Sequence, residues 1–480
     1  MSDKFVEAIT PREENFSRWY TDVVIKAQLA DYAPIRGCIV VRPPGFAIWE
    51  AIQSGLDARF KETGVQNAYF PLLIPESIFT REAEHIEGFA PEVPWVTHAG
   101  EEELQERLAI RPSSETIIGT MFSRWIQSYR DLPMLVNQWC SVLRWEKATH
   151  PFLRTTEFLW QEGHTCHETE AEARERTIQM LRIYREFMEE VLAIPVLAGI
   201  KSDREKFAGA VETYTVEAMM QDGRALQAGT SHYLGDGFAR VLDIKFLGRE
   251  SELEYVHQTS WGVSHRLIGA LIMVHGDDRG LVLPPRVAPN QAVIVPIYRD
   301  DTRDRVLGAA NDLRESLREE GLRIHLDDRE EHTPGWKFNE WEMRGVPIRI
   351  ELGPRDLDSD QVMLVRRDTG AKEPVSRSKL SARLEELLEE IQAGLFQRAL
   401  DYRADNTYTA ESVEDIRTIM ERNRGFVEAG WCGDDACEAS IKEETGTTIR
   451  CIPFEDLGEP GVCPACGKPG KHRVVFARAY

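Results

Sequence analysis

The chain has 480 residues, 42% hydrophobic and 29% charged, which suits about three domains with sizeable apolar cores. Its net charge of −22, from 58 basic against 80 acidic residues, excludes indiscriminate nucleic-acid binding; RNA contact would need local basic patches and would weaken with salt. Residues 1–10 are charged without an apolar stretch and no run of about 18 apolar residues occurs, so neither a secretory signal nor a membrane span is expected. These readings predict a cytoplasmic chain with neither membrane nor DNA as partner. In a reducing compartment its eight cysteines are thiols or metal ligands, not disulfides.

In chain order, residues 16–29 show an amphipathic helical pattern suited to packing or dimer contact. Residues 39–45 form a short strand stopped by prolines. Residues 47–63 predict a helix with Ile48, Ile52, Leu56 and Phe60 on one stripe. A strand at 67–73 carries Pro71, which belongs at an edge because proline cannot donate in a central ladder. Residues 110–115, IRPSSE, precede a helix predicted to run to about residue 129. Two compatible readings stand there. Ser113 or Ser114 caps the helix with Glu115 at its positive end, or the hydroxyl and carboxylate meet a ligand.

Residues 141–164, SVLRWEKATHPFLRTTEFLWQEGH, are the most informative stretch. Period-2 reading predicts a strand with Val142, Arg144 and Glu146 on one face. A polar turn over 148–151 follows, then a return strand with Arg154, Thr156, Phe158, Trp160, Glu162 and His164 on one face. Interleaved arginines, carboxylates and aromatics are costly to bury without a ligand. Arginines fork phosphate oxygens, carboxylates accept from amines, and aromatic walls hold an apolar ring beside a cation. The pattern suits a nucleotide plus an amino acid.

Residues 168–193 predict a long helix, and 201–207 lead into KFAGA, where Phe207 is either core packing or a pocket wall. Residues 225–232, ALQAGTSH, read as a small-residue turn that brings Gln227, Thr230 and His232 close to a ligand. SWGVSHR at 260–266 precedes a helix to about residue 274. Residues 280–290 read as a linker. Beyond it, strands at 291–298, 322–326, 347–352 and 361–365 alternate with helices at 302–321 and 335–343, which predicts an α/β layer with right-handed crossovers. Residues 335–357 mix aromatics, Arg and Glu, side chains that stack on and read unpaired bases; fold support is the other reading. A helix at 380–401 leads out of this layer. The pairs Cys432/Cys437 and Cys463/Cys466 have the spacing of a four-thiolate structural zinc site with no open position. Cys38, Cys140 and Cys166 read as buried thiols. The terminal RVVFARAY reads as ordered.

Arg144-Trp145-Glu146 with Arg154-x-x-x-Phe158-x-x-x-Glu162 resembles the second signature motif of class II aminoacyl-tRNA synthetases. With 112–115 upstream and Gln227-x-x-Thr230-Ser231-His232 downstream, the chain resembles prolyl-tRNA synthetases, in the form shared by archaea, eukaryotes and some bacteria. The resemblance runs from about residue 16 to the end. Residues 260–266 depart from the usual third motif: Gly262 and Arg266 are present without a Glu beside the arginine, a departure the prolyl members share. The resemblance implies an α+β multidomain fold: an antiparallel-sheet catalytic domain at 1–285, an α/β anticodon-binding domain at 286–400 and a small zinc-binding domain at 401–480. It implies a homodimer through the first motif, and activation of L-proline by ATP with Mg²⁺ before transfer to tRNA(Pro).

By the same resemblance, Arg144 and Arg266 are catalytic. Ser113, Glu115, Arg144, Trp160, Glu162, His164, Phe207 and His232 hold proline. Arg144, Glu146, Arg154, Thr155, Phe158, Gln227, Thr230, Ser264 and Arg266 hold ATP. Glu342, Arg344, Arg349 and Arg355 meet the anticodon, Cys451 matches a non-ligand, and the terminal Tyr480 carboxylate turns toward the active site. Roughly a hundred residues separate the second and third motifs, which leaves no room for an editing insertion. Misactivation of alanine or cysteine is therefore expected, because one methylene discriminates by only about 1–3 kcal/mol. Two other readings stand beside this one: a related synthetase for another amino acid, and a catalytically silent RNA-binding paralogue.

Overall fold

The predicted stripe of Ile48, Ile52, Leu56 and Phe60 is buried along helix α1 (Pro43–Glu62). The computed structural model describes residues 9–85, 92–422 and 424–480; most of the N-terminal stretch read as non-secretory, residues 1–8, lies outside them. The strand expected at 67–73 is split into β1 (Gln66–Asn67) and a separate strand, Leu73–Pro75, that pairs elsewhere. Between the two, Phe70 turns inward and donates its backbone N–H to Gln138, while Tyr69 is exposed.

The main sheet is then built by β2 (Met134–Leu143), β3 (Glu157–His167), β4 (Val196–Ile200), β5 (Glu212–Met219), β6 (Ala225–Gly235) and β7 (His257–Ser264). Helix α2 (Glu115–Trp125) stops short of the predicted residue 129, where a separate 3-10 turn begins. Helix α3 (Glu170–Glu190) starts at a Thr169–Glu172 capping box, a reciprocal bond pair that satisfies two orphan donors. Tyr184 and Phe60 pack on Trp261 of β7 at centroid distances of 6.5 and 4.8 Å. Helix α4 (Arg266–His275), predicted from the third motif, is almost wholly buried.

A second sheet holds β8 (Ala292–Pro296), β9 (Ile324–Leu326), β10 (Ile348–Leu352), β11 (Gln361–Arg366) and β12 (Lys372–Ser376), in the order β9-β8-β10-β11-β12. Its first two pairings are parallel and its last two antiparallel. Helices α5 (Arg303–Glu319) and α6 (Pro334–Met343) make the parallel crossovers, and α7 (Pro354–Asp358) is a short turn. The predicted exit helix, α8 (Leu380–Asp405), runs past residue 401.

The last segment adds β13 (Thr407–Thr409), β14 (Phe426–Trp431), helix α9 (Asp435–Thr445), β15 (Thr448–Pro453) and β16 (His472–Ala477). These strands extend the main sheet to the order β13-β14-β16-β15-β4-β5-β6-β7-β3-β2-β1. The junction is Ile452 opposite Ile200 and Pro453 opposite Gly199. A side chain at Gly199 would run into the Ile452 carbonyl, so only glycine permits this approach.

Residues 225–232 form most of a central strand, β6, where a turn was expected; both faces are covered, so small residues hide the alternation. The stretch 280–290 connects the two sheets' units without a helix or strand of its own, as a linker would, but it is packed down: Leu281, Val282, Leu283, Val287 and Ala288 are buried. The Leu281 and Leu283 N–H groups donate to the Met343 and Gly345 carbonyls, and Arg367 forks Asp277 at 2.6 and 2.8 Å, which ties the two sheets' units together. Among the described residues no helix is long and apolar enough to cross a membrane.

Candidate active site

Register aligns the predicted residues in rows across the sheet. Thr213, His232, Ser260 and His164 lie opposite one another on β5, β6, β7 and β3. Two residues along, Thr215, Thr230, Gly262, Glu162 and Gln138 form the next row, and Ser264, Trp160 and Cys140 the row beyond. Successive rows on one face are spaced by the strand period of two, so Phe158, Trp160, Glu162 and His164 face one cavity as predicted.

That cavity has a volume of about 270 Å³. Glu115, Arg144, Phe158, Trp160, Glu162, His164, Phe207, Gln227, Thr230, His232, Ser264 and Arg266 all line it. Ser113, Glu146, Arg154 and Thr155 do not. Ser113 is buried beside it. The predicted strand ends at Leu143, so Arg144–Glu146 and Arg154–Thr156 belong to a loop beyond the hairpin, joined along the backbone by the Arg144 N–H donating to the Thr156 carbonyl. In that loop Arg154 pairs with Glu146 at 3.4 Å. Thr155 Oγ1 donates to the Glu157 carbonyl and meets His265 Nε2 at 3.3 Å.

At one end the cavity has a carboxylate floor. Glu162 accepts from the Ser114 N–H at 3.2 Å, from Gln138 Nε2 at 2.7 Å, and contacts His164 Nε2 at 3.0 Å. Burial disfavours its charge, but these bonds outweigh it and hold the carboxyl below its ordinary value. Burial also opposes a charged His164, yet the bond to Glu162 and the fields of Glu162 and Glu115 raise its pKa. His232 is pushed down to about 3 by burial and by His164, so it is neutral. The Oε2 atom of Glu115 is buried and accepts no bond from the described residues. A buried carboxylate oxygen left so is costly unless a ligand supplies the donor. Ser114 precedes α2, but its hydroxyl accepts from Gln138 instead of capping the helix.

The other end is cationic. The Arg144 guanidinium sits 5.4 Å from the ring centroids of both Phe158 and Trp160, and its Nε donates to the Pro112 carbonyl at 3.0 Å. Burial lowers its pKa, and Glu115 and Glu162 partly restore it. Arg266 donates to the Leu153 and Gln227 carbonyls. Burial and the charges of Arg154 and Arg144 lower its pKa. A buried arginine whose charge is opposed by burial and by two neighbouring arginines makes a standing demand for an anion.

Sequence reasoning missed Thr213, Ser260, Glu205 and Lys206 among the lining residues. Thr213 Oγ1 accepts from the Phe207 N–H and contacts His232 Nδ1, both at 2.9 Å, so it orients two predicted residues at once. Its alternation in ETYTVEAM was the available signal; the partner strand was not. Cys38 and Cys166 are buried as expected. Cys140 is only half-buried and contacts Glu162 and Trp160.

Two further groupings lie away from the cavity. In the second sheet's unit, Glu342 and Arg349 share a small recess with Trp341, Arg366 and Arg367. Arg349 lies 4.0 Å from the Phe338 ring and pairs with Glu351 at 2.9 Å, while Arg344 pairs with Glu340 at 2.7 Å. Arg355 stands on α7, outside that recess. In the last unit the ligand atoms of Cys432, Cys437, Cys463 and Cys466 lie within 4.8 Å of one another, with Cys466 and Cys432 at 3.8 Å. That separation suits four thiolates about 2.3 Å from a central tetrahedral ion. Cys451 stays apart, buried on β15 opposite Val475 of β16. Tyr480 donates its N–H to the Ala225 carbonyl, two residues from Gln227, and its hydroxyl to Asp222 at 2.7 Å.

Comparison with known proteins follows the same division. Residues 95–275 match the tRNA synthetase class II core domain (G, H, P, S and T), 291–387 an anticodon binding domain, and 413–480 the C-terminal domain of prolyl-tRNA synthetase. Proline--tRNA ligase of Symbiobacterium thermophilum is 60% identical over 483 residues, covering 99% of both chains. That of Natranaerobius thermophilus is 58% identical, covering 100% of this chain and 99% of its own. That of Rubrobacter xylanophilus is 59% identical, covering 99% of both. With the three matches in that order and such identity from end to end, the chain belongs to the proline--tRNA ligase family of class II aminoacyl-tRNA synthetases.

Proposed function

We propose that the chain joins L-proline to tRNA(Pro) in two steps at this cavity, first forming prolyl-adenylate from ATP. The observation that carries this reading is one cavity with two arginines at one end and an acid-floored, aromatic-walled niche at the other. The proline carboxylate attacks the α-phosphorus of ATP, the bond to the β-phosphate oxygen breaks, and pyrophosphate leaves with that electron pair. The protein's work is positioning and charge stabilisation. Arg144, at the cationic end but within the fields of Glu115 and Glu162, neutralises the attacking carboxylate and the α-phosphate. Arg266 and Phe158 sandwich the adenine, and Gln227, Thr230 and Ser264 hold the rest of the nucleotide. Glu146, Arg154 and Thr155 join them as the loop folds onto ATP, which brings its own Mg²⁺. Glu115 and Glu162 offset the imino nitrogen's charge, with Ser113 beside them. Trp160, His164, Phe207 and His232 enclose the ring.

The remaining roles follow the same reading, with the catalytic unit at 1–285, the anticodon unit at 286–400 and the terminal unit at 401–480. Glu342, Arg344, Arg349 and Arg355 read the anticodon. The four terminal cysteines hold a structural Zn²⁺, supported by their mutual distances. Two copies pair through the exposed Tyr69 and Leu72 between the split strands, which sedimentation equilibrium checks; a monomer at micromolar concentration would reject it. The activity belongs in the cytoplasm.

The test is ATP–pyrophosphate exchange against all twenty amino acids. Proline should dominate and Arg144→Ala should lose at least about a hundredfold; another preferred amino acid, or an unaffected variant, would overturn the reading. Alanine or cysteine should show weak exchange, and alanyl-tRNA(Pro) should persist with the purified protein. Rapid deacylation by the protein alone would refute the absence of self-editing.

A further inference from the structure

Residues 201–207 run along the mouth of the cavity. Glu205, Lys206 and Phe207 line it, and Phe207 lies on His232 at a centroid distance of 4.7 Å. This segment follows β4; the Lys201 and Phe207 N–H groups donate to the Thr213 carbonyl and hydroxyl on β5, and further side-chain ties reach into the terminal unit. Ser202 Oγ donates to Glu438 Oε1 at 2.9 Å, with both residues buried. Lys442 Nζ donates to Glu205 Oε1 at 3.4 Å. Glu438 and Lys442 are four apart on α9, so one face of that helix bears on the segment. At the segment's root, Lys201 pairs with Glu217 at 2.7 Å, and Arg450 of β15 meets the same buried carboxylate at 3.0 Å.

Packing alone does not hold the segment. A second cavity of about 270 Å³ lies behind it, between Lys201, Ser202 and Lys206 on one side and Trp431, Lys471 and His472 of the terminal unit on the other. A segment with open space behind it and a ligand site before it has somewhere to go when released. The ties to α9, beside the Phe207 N–H bond to Thr213, then weigh on how often Phe207 stands over the niche. A niche closed only part of the time binds its ligand more weakly in proportion to that fraction.

We infer that Glu438 and Lys442 are positioning residues: they hold residues 201–207 closed over the amino-acid niche, so that affinity for proline depends on the terminal unit while affinity for ATP does not. This rests on the proline reading of the niche. Cys437 directly precedes Glu438, so the cysteine cluster anchors the turn that makes the first tie.

The test uses the full-length protein. Glu438→Ala should raise the KM for proline about tenfold, with kcat at saturating proline and the KM for ATP within about twofold. Ser202→Ala should act alike, and the double variant should be no worse than Glu438→Ala, since both remove one bond. Lys442→Ala, on an exposed side chain, should raise the proline KM about threefold without threatening the fold. Amide hydrogen exchange should quicken over 202–210 in each variant. Phe207→Ala separates the two readings. If it raises the proline KM while Lys442→Ala and Ser202→Ala change neither KM nor exchange, the clamp is wrong and the niche stands. If it too leaves the proline KM unchanged, the niche reading falls and takes the clamp with it. A parallel rise in the KM for ATP would also overturn the inference.

Discussion

An unpaired carboxylate oxygen marks the acidic end of the cavity, where the proposed proline niche lies. Glu115 Oε2 is buried without a partner among the described residues, so a ligand cation there regains what burial cost. Glu115→Gln should raise the KM for proline roughly ten- to a hundredfold and leave that for ATP within about twofold, measured by pyrophosphate exchange. An equal loss for both substrates would contradict it. Asp327, in the second sheet's unit, shows the opposite condition. Burial alone would lift its carboxyl, but the Arg329 fork at 2.8 Å, the Trp341 N–H and Lys337 lower it from 3.8 to about 2. A carboxyl lowered on folding stabilises above its unfolded value and loses that contribution as pH falls through the folded one. Asp327→Asn should therefore cost about 2 kcal/mol at neutral pH, with the difference narrowing as pH falls from 4 toward about 2. Urea unfolding monitored across that range checks it; a constant gap would show that charge is not the cause.

Among the elements, β3 supplies one wall of the cavity. Its period-2 pattern, with Phe158, Trp160, Glu162 and His164 on one face, was legible in the sequence because the charges made that face conspicuous. The opposite face carries Gly163, where any side chain would overlap the Trp261 ring of β7. Trp261 is sealed by Phe60 and Tyr184 and cannot swing away. Gly163→Ala should therefore destabilise the protein by about 2–4 kcal/mol and reduce activity, since β3 carries the niche. Thermal unfolding with proline titration tests this; a variant within about 0.5 kcal/mol would mean the two strands can part freely. Elsewhere the signal failed for physical reasons. In β6 both faces are buried, so apolar and small residues alternate with nothing. Arg144 and Glu146 looked like strand residues, yet the ladder stops at Leu143 and leaves them on a loop.

At the scale of the molecule, the terminal unit is no appendage. Its strands extend the main sheet, Arg450 reaches the buried Glu217, and α9 bears on the cavity's mouth. Stripping the proposed zinc with a chelator should loosen this unit first. Hydrogen exchange should rise over 426–476 before the second sheet's unit is affected, and re-addition of Zn²⁺ should reverse it. Uniform or absent loosening would argue against a structural ion. The sequence by itself determined the chemistry available: which residue types share the cavity face, the order of the motifs, and the four-cysteine spacing, because each depends on local period or short separation. Only the tertiary structure decided that Thr213 orients Phe207 and His232, that residues 280–290 are buried, and that the cysteine unit joins the catalytic sheet. Those are contacts between strands and helices far apart along the chain, set by register and packing, which no local pattern of residues encodes.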